Sequence, residues 1–389
     1  MDYMLTASSW GQEELDAIAR VVESGYYTMG KEVRAFEEAF ARRFGKRHAV
    51  MVNSGSSANL ASVAALFYRK GTPLQRGDEV IVPAISWSTT YHPLQQYGLR
   101  LRFVDVELES LNIDVEKLEA ALTPKTRMVL AVSILGNPAK LDVIRGFCDR
   151  HELIFMEDNC ESLDAVLPNG RKTGTLGDIS TSSFFFSHHI STMEGGMALT
   201  DDDELHHLLL SLRAHGWTRD LPTTSTLFEP TGDDLFEAYR FILPGYNLRP
   251  LEFSGAVGQV QLDKLDAMTA ARRRNWRLFQ ELFGDDPRFL IQEEYGKSSA
   301  FAFTLVLNPD LPLERRSVFD RLKDAGIGFR IITGGCFLAH DVIRHYDYSE
   351  AGPIENAFVA HRRGFFVGNH PSDLSPQLEH LHQVLKELT

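Results

Sequence analysis

The sequence predicts an α/β fold, with a large domain on a mostly parallel, mixed sheet covered by helices on both faces and a smaller C-terminal α+β domain. Two observations support this prediction. Short β-rich runs alternate with helical segments from about residue 48 to 200, the pattern of βαβ units. A long helical stretch is then followed by a strand, a helix and another strand. We therefore assign residues 1–250, with the N-terminal segment, to the large domain and residues 251–389, with the long helix, to the smaller one.

The elements follow from local pattern, in chain order. The predicted strands of the large domain are 78–84, 102–106, 127–133, 153–159 and 181–186. A helix opens at Asp201 with carboxylates in its first turn, where the helix dipole favours them. Residues 216–250 read as a long loop that carries function. The remaining predictions are a helix over about 251–284, a strand over 299–307, a helix over 313–326 and a strand over 328–332.

Composition and charge exclude several classes of protein. The 389 residues carry 40 Lys and Arg against 53 Asp and Glu, so the net charge is −13. That balance disfavours nonspecific binding to nucleic acid or to an anionic membrane. We expect a protein without a membrane span or a secretion signal, because the apolar runs are short and the first residues show no signal pattern. Three distant cysteines (Cys148, Cys160, Cys336) predict reducing cytosol and neither a disulfide framework nor a metal or iron–sulfur site.

Two short segments are candidates for binding chemistry. Residues 53–60, NSGSSANL, run into a helical pattern, so backbone amides at Gly55, Ser56 and Ser57 could hold a phosphate. A plain serine N-cap explains the same letters. Asp158 closes the apolar run LIFM, where a carboxylate needs a partner. It suits a protonated ring nitrogen of a cofactor, and a cap on the next helix is the competing interpretation.

The segment from Ser183 to Gly196, SFFFSHHISTMEGG, is the most informative. Adjacent histidines point to opposite faces if the chain is extended, so His188 and His189 make a poor joint metal site. One of them could face a ligand while the other packs. A lone histidine in such a place is usually structural.

Several motifs together resemble one family. The chain is similar to the sugar-modifying branch of the pyridoxal phosphate (PLP) enzymes of the aspartate aminotransferase fold (fold type I), the DegT/DnrJ/EryC1/StrS type of nucleotide-sugar aminotransferases and dehydratases. The motifs that carry the resemblance are GYYTMGKEVRAFEEAFA (25–41), NSGSSANL (53–60), DEVIVPAISWSTT (78–90), LGNPAKLDVI (135–144), EDNCES (157–162), the 183–196 segment, RAHG (213–216) and PGYNLRPLE (244–252). They occur in the family's order over nearly the whole chain.

The resemblance also exposes a departure. In the family, the lysine that forms the Schiff base with PLP lies five residues after the phosphate-binding serine, and that position here holds His188. No lysine occurs from residue 173 to 263, so a shifted register cannot supply one. An imidazole cannot form that bond, but it can act as a general base. The branch with this substitution consists of 3-dehydratases that act on nucleotide-linked 4-keto-6-deoxy sugars, and GDP-4-keto-6-deoxymannose is the implied substrate.

Roles follow from the resemblance position by position. It implies PLP, converted to pyridoxamine phosphate (PMP) by L-glutamate, and a homodimer with shared active sites. Asp158 would hold the ring nitrogen protonated, Glu161 would lie near the cofactor's reactive side, and His188 would be the base. The implied phosphate ligands are Gly55, Ser56, Ser57, Ser183 and, across the dimer interface, Asn247, with Trp87 stacking on the ring. The implied sugar contacts are His215 and Arg219, with Arg249 and Arg330 as weaker candidates for the pyrophosphate or the glutamate carboxylate.

Alternatives remain at this point. A sugar aminotransferase that tolerates His188 and a 3-dehydratase for a CDP- or dTDP-linked sugar are both open. A catalytically inactive binding subunit would need losses at the cofactor positions as well, but Asp158, Ser183 and Asn247 match the family. The CDP-sugar type carries a cysteine-rich iron–sulfur site, for which three scattered cysteines are too few. Because all the expected ligands are anions, we expect Arg213, Arg219, Arg249 and Arg330 to form a local positive pocket in an acidic protein. The expected product would supply surface polysaccharide such as O-antigen.

Overall fold

The computed structural model describes residues 2–386 and 388. The strands are β1 (His48–Val52), β2 (Glu79–Pro83), β3 (Arg100–Val104), β4 (Thr126–Val132), β5 (Ile154–Asp158), β6 (Ile179–Ser183), β7 (Gly196–Thr200), β8 (Phe289–Leu290), β9 (Ala302–Leu307), β10 (Phe329–Arg330), β11 (Tyr348–Glu350) and β12 (Gly364–Gly368). The helices are α1 (Gln12–Ser24), α2 (Lys31–Phe44), α3 (Gly55–Tyr68), α4 (Ser88–Gln96), α5 (Leu118–Ala121), α6 (Leu141–Arg150), α7 (Asp203–Arg213), α8 (Asp234–Glu237), α9 (Glu252–Phe283), α10 (Arg315–Asp324), α11 (Asn356–Arg363) and α12 (Ser375–Lys386).

Eight strands form the large sheet, in the order β1-β7-β6-β5-β4-β2-β3-β11. Strand β7 runs antiparallel to both of its neighbours, and the other pairs are parallel. The carboxyl ends of β1, β2, β4, β5 and β6 therefore meet at one edge. In open α/β sheets ligands bind at that edge, so this order decides where the site lies.

Both faces of this sheet are buried, as a mostly parallel sheet requires. Val80, Val82 and Leu130 pack on one face with helices α3 and α7. Their neighbours Ile81 and Val129 point to the other face and pack with α6. Helix α3 is apolar nearly all round and lies inside the protein, so polar residues on it need partners within the fold.

A second sheet of four antiparallel strands, in the order β10-β12-β9-β8, lies in the C-terminal part with its own apolar core. The long helix α9 packs against α1, α2 and α12 and so links the two parts of the chain. Sheet membership does not change cleanly at residue 250, because β11 pairs with β3 on the large sheet. The domain division itself stays a prediction.

Two local predictions need adjustment. The aromatic run predicted as the strand 181–186 leaves the sheet at Ser183, and Phe185 and Phe186 are exposed. The chain leaves the sheet after Ser183, where the cavity begins, so the backbone of Phe185 and Phe186 has no neighbouring strand to pair with. Within the predicted loop 216–250, the structure shows the short helix α8 and a bridge between Trp217 and Phe241. Among the described residues, no helix is both long and apolar enough to cross a membrane.

Candidate active site

A cavity of about 560 Å³ opens at the carboxyl ends of the parallel strands. It is lined by residues from the strand ends, the start of α3 and the C-terminal part: Ser54, Gly55, Ser56, Asn59, Ser86, Trp87, Thr89, Thr90, Val132, Asp158, Cys160, Glu161, Ser183, Phe185, Ser187, His188, Glu194, Phe301, Arg330, Ile331, Thr333, Gly334 and Phe366. Many of its polar side chains come from the strand ends and from the first residues of α3 and α4. The cavity thus brings together most of the predicted cofactor residues.

Asp158 lies at the end of β5 and is almost completely buried. Its Oδ2 accepts hydrogen bonds from Asn59 Nδ2 at 2.9 Å and from Thr90 Oγ1 at 2.7 Å. Its Oδ1 accepts the backbone N–H of Cys160 at 3.2 Å. Three donors of this kind stabilise the carboxylate form in a buried place. The strand-end carboxylate can therefore face a cationic group in the cavity, and it does not act as a simple helix cap.

The start of α3 forms a cradle that could hold an anion. Ser54 caps the helix by accepting the N–H of Ser57 at 3.1 Å, so the capping interpretation of this motif applies to Ser54, and phosphate binding stays a prediction. A Cβ on Gly55 would lie 2.6 Å from Cβ of Ser183, so only glycine leaves this approach open. Ser56 and Ser183 line the cavity beside it. Ser57 does not, because its N–H and hydroxyl both face Ser54.

His188 lies on the cavity wall, in the turn that follows β6. Its Nδ1 is 2.7 Å from the backbone oxygen of Cys160. A carbonyl oxygen only accepts, so Nδ1 carries the proton and Nε2 of the neutral ring keeps a free lone pair. Burial lowers the pKa of His188 to about 4, so the ring is neutral at physiological pH. The geometry provides a neutral imidazole with one basic nitrogen.

The second histidine of the pair is structural. His189 is buried, its Nε2 lies 3.3 Å from the backbone oxygen of Ser299, and its Nδ1 has no hydrogen-bond partner among the described residues. Beneath the pair, the buried guanidinium of Arg272 donates to the backbone oxygens of Phe301 and Asn369. Its positive charge also lowers the pKa of both histidines, after burial itself.

Glu161 faces the cavity from the segment after β5. Its Oε2 accepts the backbone N–H of Leu135 at 2.9 Å and the hydroxyl of Thr333 at 3.5 Å. Burial, followed by the nearby charge of Asp158, raises the pKa of Glu161 to about 7. Both donors sit in left-handed backbone, with φ of 52° at Leu135 and 41° at Thr333. Such strain persists only where the surrounding structure holds it in place.

Two further predicted residues line the cavity mouth. Trp87 precedes α4, and its side chain is 56% exposed, so the ring offers a free face. Arg330, at the end of β10, reaches the cavity from the C-terminal part. A guanidinium there suits a carboxylate or a pyrophosphate.

The predicted cofactor residue Asn247 and the other predicted substrate residues lie outside this cavity. Asn247 is exposed and accepts from Arg249 Nε at 3.0 Å. His215 is exposed in left-handed backbone, and Arg219 lies over the ring of Trp217. These residues share the 213–249 region, and their roles stay predictions.

The predicted cluster of four arginines is wrong for Arg213. Its guanidinium is buried and pairs with the carboxylate of Glu37 at 2.5 Å and the backbone oxygen of Met51 at 2.8 Å. A buried guanidinium needs such partners, so this side chain fastens α7 to β1 and α2. Within one chain, only Arg330 of the four lines the cavity.

Sequence reasoning missed the residues that hold Asp158 and His188 in place. Asn59 joins Asp158 to Thr181, whose hydroxyl donates to Asn59 Oδ1 at 2.7 Å. Thr90 and the backbone oxygen of Cys160 complete the support. A signal for Asn59 exists, because an amide in an otherwise apolar helix requires a buried partner. Phe301, whose ring meets His188 edge-on at 5.2 Å, has no comparable signal.

The three thiols are free and lie apart. Cys148 and Cys336 belong to different apolar cores, and Cys160 lines the cavity. Among residues 2–386 and 388, no group of three or more His, Cys, Asp or Glu side chains is placed to hold a metal ion. The reducing compartment stays a prediction.

Comparisons with known proteins extend these findings. Residues 8–388 match the model of the DegT/DnrJ/EryC1/StrS aminotransferase family. A protein of Yersinia pseudotuberculosis named GDP-4-keto-6-deoxy-D-mannose 3-dehydratase is 49% identical over 389 residues, which is 100% of this chain and 99% of that one.

Solved structures agree with that match. A crystal structure of a GDP-4-keto-6-deoxymannose 3-dehydratase mutant with bound GDP-perosamine is 46% identical and covers 99% of this chain and 100% of its own, with a TM-score of 0.96. Another, with a trapped PLP–glutamate geminal diamine, gives the same identity, coverage and TM-score. The predicted fold class is confirmed.

Proposed function

This chain belongs to the DegT/DnrJ/EryC1/StrS aminotransferase family, and from that premise we propose that it is a PLP-dependent sugar 3-dehydratase. Its substrate is GDP-4-keto-6-deoxymannose, from which it removes the 3-hydroxyl group to leave a 4-keto-3,6-dideoxy sugar. L-Glutamate recharges the cofactor. One observation carries the proposal: where an aminotransferase needs a lysine, the cavity presents the neutral imidazole of His188.

The residues of the cavity fit the cofactor. Gly55 leaves room for a phosphate at the positive end of the 14-residue helix α3, and Ser56 and Ser183 add hydroxyl donors. Asp158, held by its three donors, would pair with the ring nitrogen, and the exposed face of Trp87 would stack on the ring. When bound, the cofactor supplies an amine for the 4-keto carbon and a ring that draws electrons.

His188 performs the first proton transfer. Its Nδ1–H is bound to Cys160, so Nε2 is the nitrogen that can take a carbon-bound proton in the cavity. Because burial lowers the pKa of His188, the ring is in its base form at physiological pH. Phe301 and Phe185 lie edge-on to the imidazole and hold the orientation of its ring.

A lysine at position 188 could bind the cofactor covalently and so release from it a sugar that keeps the cofactor's amine. His188 cannot, so ammonia and the dideoxy sugar leave separately. No lysine lines the described cavity, which argues against the aminotransferase alternative.

The test is product analysis with a matched pair of variants. The protein is incubated with PLP, L-glutamate and GDP-4-keto-6-deoxymannose, and the sugar product is identified by mass. We expect loss of the 3-oxygen and release of ammonia and 2-oxoglutarate. His188→Asn should lower this rate by about 10²–10⁴-fold. His189→Asn, which replaces the neighbouring imidazole outside the cavity, should still dehydrate the sugar.

Other products would contradict the proposal. A sugar that gains an amino group would identify an aminotransferase. Dehydration of a CDP- or dTDP-linked sugar alone would show that GDP-4-keto-6-deoxymannose is not the substrate. Borohydride reduction that leaves the cofactor bound to a lysine would also contradict it.

We further infer a homodimer in which each chain completes the other's site. Asn247 is exposed and lies away from the cavity of its own chain. Large apolar side chains are exposed beside the same loop, with Leu235 at 86% and Tyr239 at 71%. Exposed patches of this kind mark protein interfaces. The Asn247 amide would then reach the phosphate of the neighbouring chain.

Complementation between variants tests this arrangement. His188→Asn and Asn247→Ala chains are unfolded together, refolded and assayed. If the sites are shared, random pairing restores one intact site in each mixed dimer, or about one quarter of wild-type activity. If Asn247 acts within its own chain, mixing restores nothing.

A further inference from the structure

Two carboxyl groups, Asp158 and Glu161, face one cavity in different surroundings. Asp158 receives three hydrogen bonds, which favour the charged form. Glu161 has one well-formed hydrogen bond, from the backbone of Leu135, and a long one from Thr333. When surroundings separate two neighbouring carboxyl groups in this way, they take different roles, one ionised and one neutral.

The anchoring of Glu161 leaves one oxygen available. Both hydrogen bonds reach Oε2, and Oε1 has no hydrogen-bond partner among the described residues. No group of the described chain holds Oε1, so a proton on this oxygen can be given to a ligand in the cavity that Glu161 lines. The turn that carries the stronger donor is itself packed: a Cβ on Gly136, next to Leu135, would lie 2.6 Å from the backbone nitrogen of Phe301. The carboxyl group is thus fixed at one oxygen and open at the other.

We propose that Glu161 is the acid that protonates the leaving 3-hydroxyl group of the sugar, while His188 acts only as the base. This inference rests on the proposed function. It assigns the two proton transfers of the dehydration to two different side chains.

His188 Nε2 takes a proton from carbon, and the electron pair left behind shifts along the conjugated bonds so that a double bond forms between sugar carbons 4 and 3 as the bond between carbon 3 and its oxygen breaks. The oxygen keeps both electrons of that bond, takes the proton of Glu161 and leaves as water. His188 ends protonated and Glu161 ends ionised, and transfer of one proton between them restores both groups.

The titratable groups around Glu161 agree with a neutral carboxyl. The ionisable side chains that line the cavity are Asp158, Cys160, Glu161, His188, Glu194 and Arg330. Asp158 opposes a second negative charge, and His188 carries no charge because burial and Arg272 lower its pKa. The donors from the other packed elements, Leu135 N–H and the Thr333 hydroxyl, favour the ionised form but do not offset burial. The pKa of Glu161, raised to about 7, allows it to donate a proton at neutral pH.

Glu161→Gln tests the proposal, because an amide can still accept the N–H of Leu135 but cannot deliver a proton. We expect kcat for dehydration to fall by about 10²-fold or more, with KM little changed. The half-reaction with glutamate, followed by cofactor absorbance, needs no leaving-group acid and should continue. Glu109→Gln, at an exposed position outside the cavity, controls for the exchange of a carboxyl group for an amide elsewhere in the chain.

Two pH measurements separate an acid from a structural residue. In the wild type, kcat should decrease above about pH 7 as Glu161 loses its proton, in line with its raised pKa. Glu161→Gln should lack this decrease. In the cofactor-free protein, infrared titration should show a protonated carboxyl that ionises in the same range and is absent in Glu161→Gln.

The outcomes are distinct. If Glu161→Gln dehydrates at the wild-type rate, keeps the alkaline decrease, or slows the glutamate half-reaction equally, the inference is overturned. Absence of the infrared signal in the wild type also overturns it, whatever the activity. A wild-type protein that aminates the sugar refutes the proposed function instead, and the infrared titration still reports on Glu161.

Discussion

The cavity has two sides that are built differently. The strand-end side consists of the start of α3, the segment before α4 and the ends of β5 and β6, and it holds Asp158 and the anion cradle. The turn side consists of the turns at 135–136, 300–301 and 333–334. On the strand-end side, hydrogen bonds between side chains fix the polar groups. On the turn side, Glu161 is held by donors from Leu135 and Thr333, which both lie in left-handed backbone.

The two sides orient their carboxyl groups through different features of the fold. Parallel strands deliver their ends to one edge, so a few side-chain hydrogen bonds are enough to orient Asp158. Among the described residues, no α-helix or strand donates to Glu161 from the other side. The backbone amide of Leu135 and the hydroxyl of Thr333, both in strained turns, do this instead. The strand-end side, where Asp158 lies, is therefore built by the order of the strands, and the turn side, which holds Glu161, is built by turns.

The largest expected effect is on the strand-end side. Gly55→Ala should destabilise the protein by about 2–3 kcal/mol, because the new methyl meets the Cβ of Ser183, which cannot rotate away. It should also weaken PLP binding. Gly146→Ala, inside α6, meets only the end of the Arg150 side chain at 3.8 Å and should stabilise by about 0.5–1 kcal/mol. Urea unfolding measures the stability of each variant, and cofactor titration measures its affinity for PLP. Equal results for the two variants would contradict the role of Gly55 in the anion cradle.

A second prediction compares the two sides directly. Asn59→Ala and Asn112→Ala each remove a buried amide with two firm hydrogen bonds, and each should cost about 1–2 kcal/mol of stability. Asn59 supports Asp158, whereas Asn112 supports the turn at Ile134. Only Asn59→Ala should lower affinity for PLP, measured by absorbance titration. Equal loss of affinity in both would remove the distinction between the sides.

The smallest expected effect is on the turn side. Thr333→Gly relieves left-handed strain but gives the unfolded chain more freedom, so stability should change by less than about 1 kcal/mol. The long hydrogen bond to Glu161 is lost, which should raise the pKa of Glu161 further above its usual range. Urea unfolding measures the change in stability, and the pH at which kcat begins to decrease measures the change in the pKa of Glu161. A loss of several kcal/mol would show that Thr333 is held by more than its backbone.

Much of the strand-end side was predictable from motifs. Asp158, Ser183 and His188 stand in recognisable contexts, and the structure brings them into one cavity. Asn59 and Thr90 lay within the same motifs but were missed, because their importance depends on what they face across the sheet. Arg213 was misjudged for the same reason, since its partner Glu37 lies 176 residues away.

The sequence by itself determined the family, the order of the elements and the absence of the Schiff-base lysine, since these depend on covalent order alone. Only the tertiary structure decided which nitrogen of His188 is free, because that depends on the oxygen of Cys160, 28 residues away. It also decided that Asp158 and Glu161, three positions apart, differ in their surroundings. Local pattern places a carboxyl group on the chain, but its charge is set by the donors and the burial that folding brings to it.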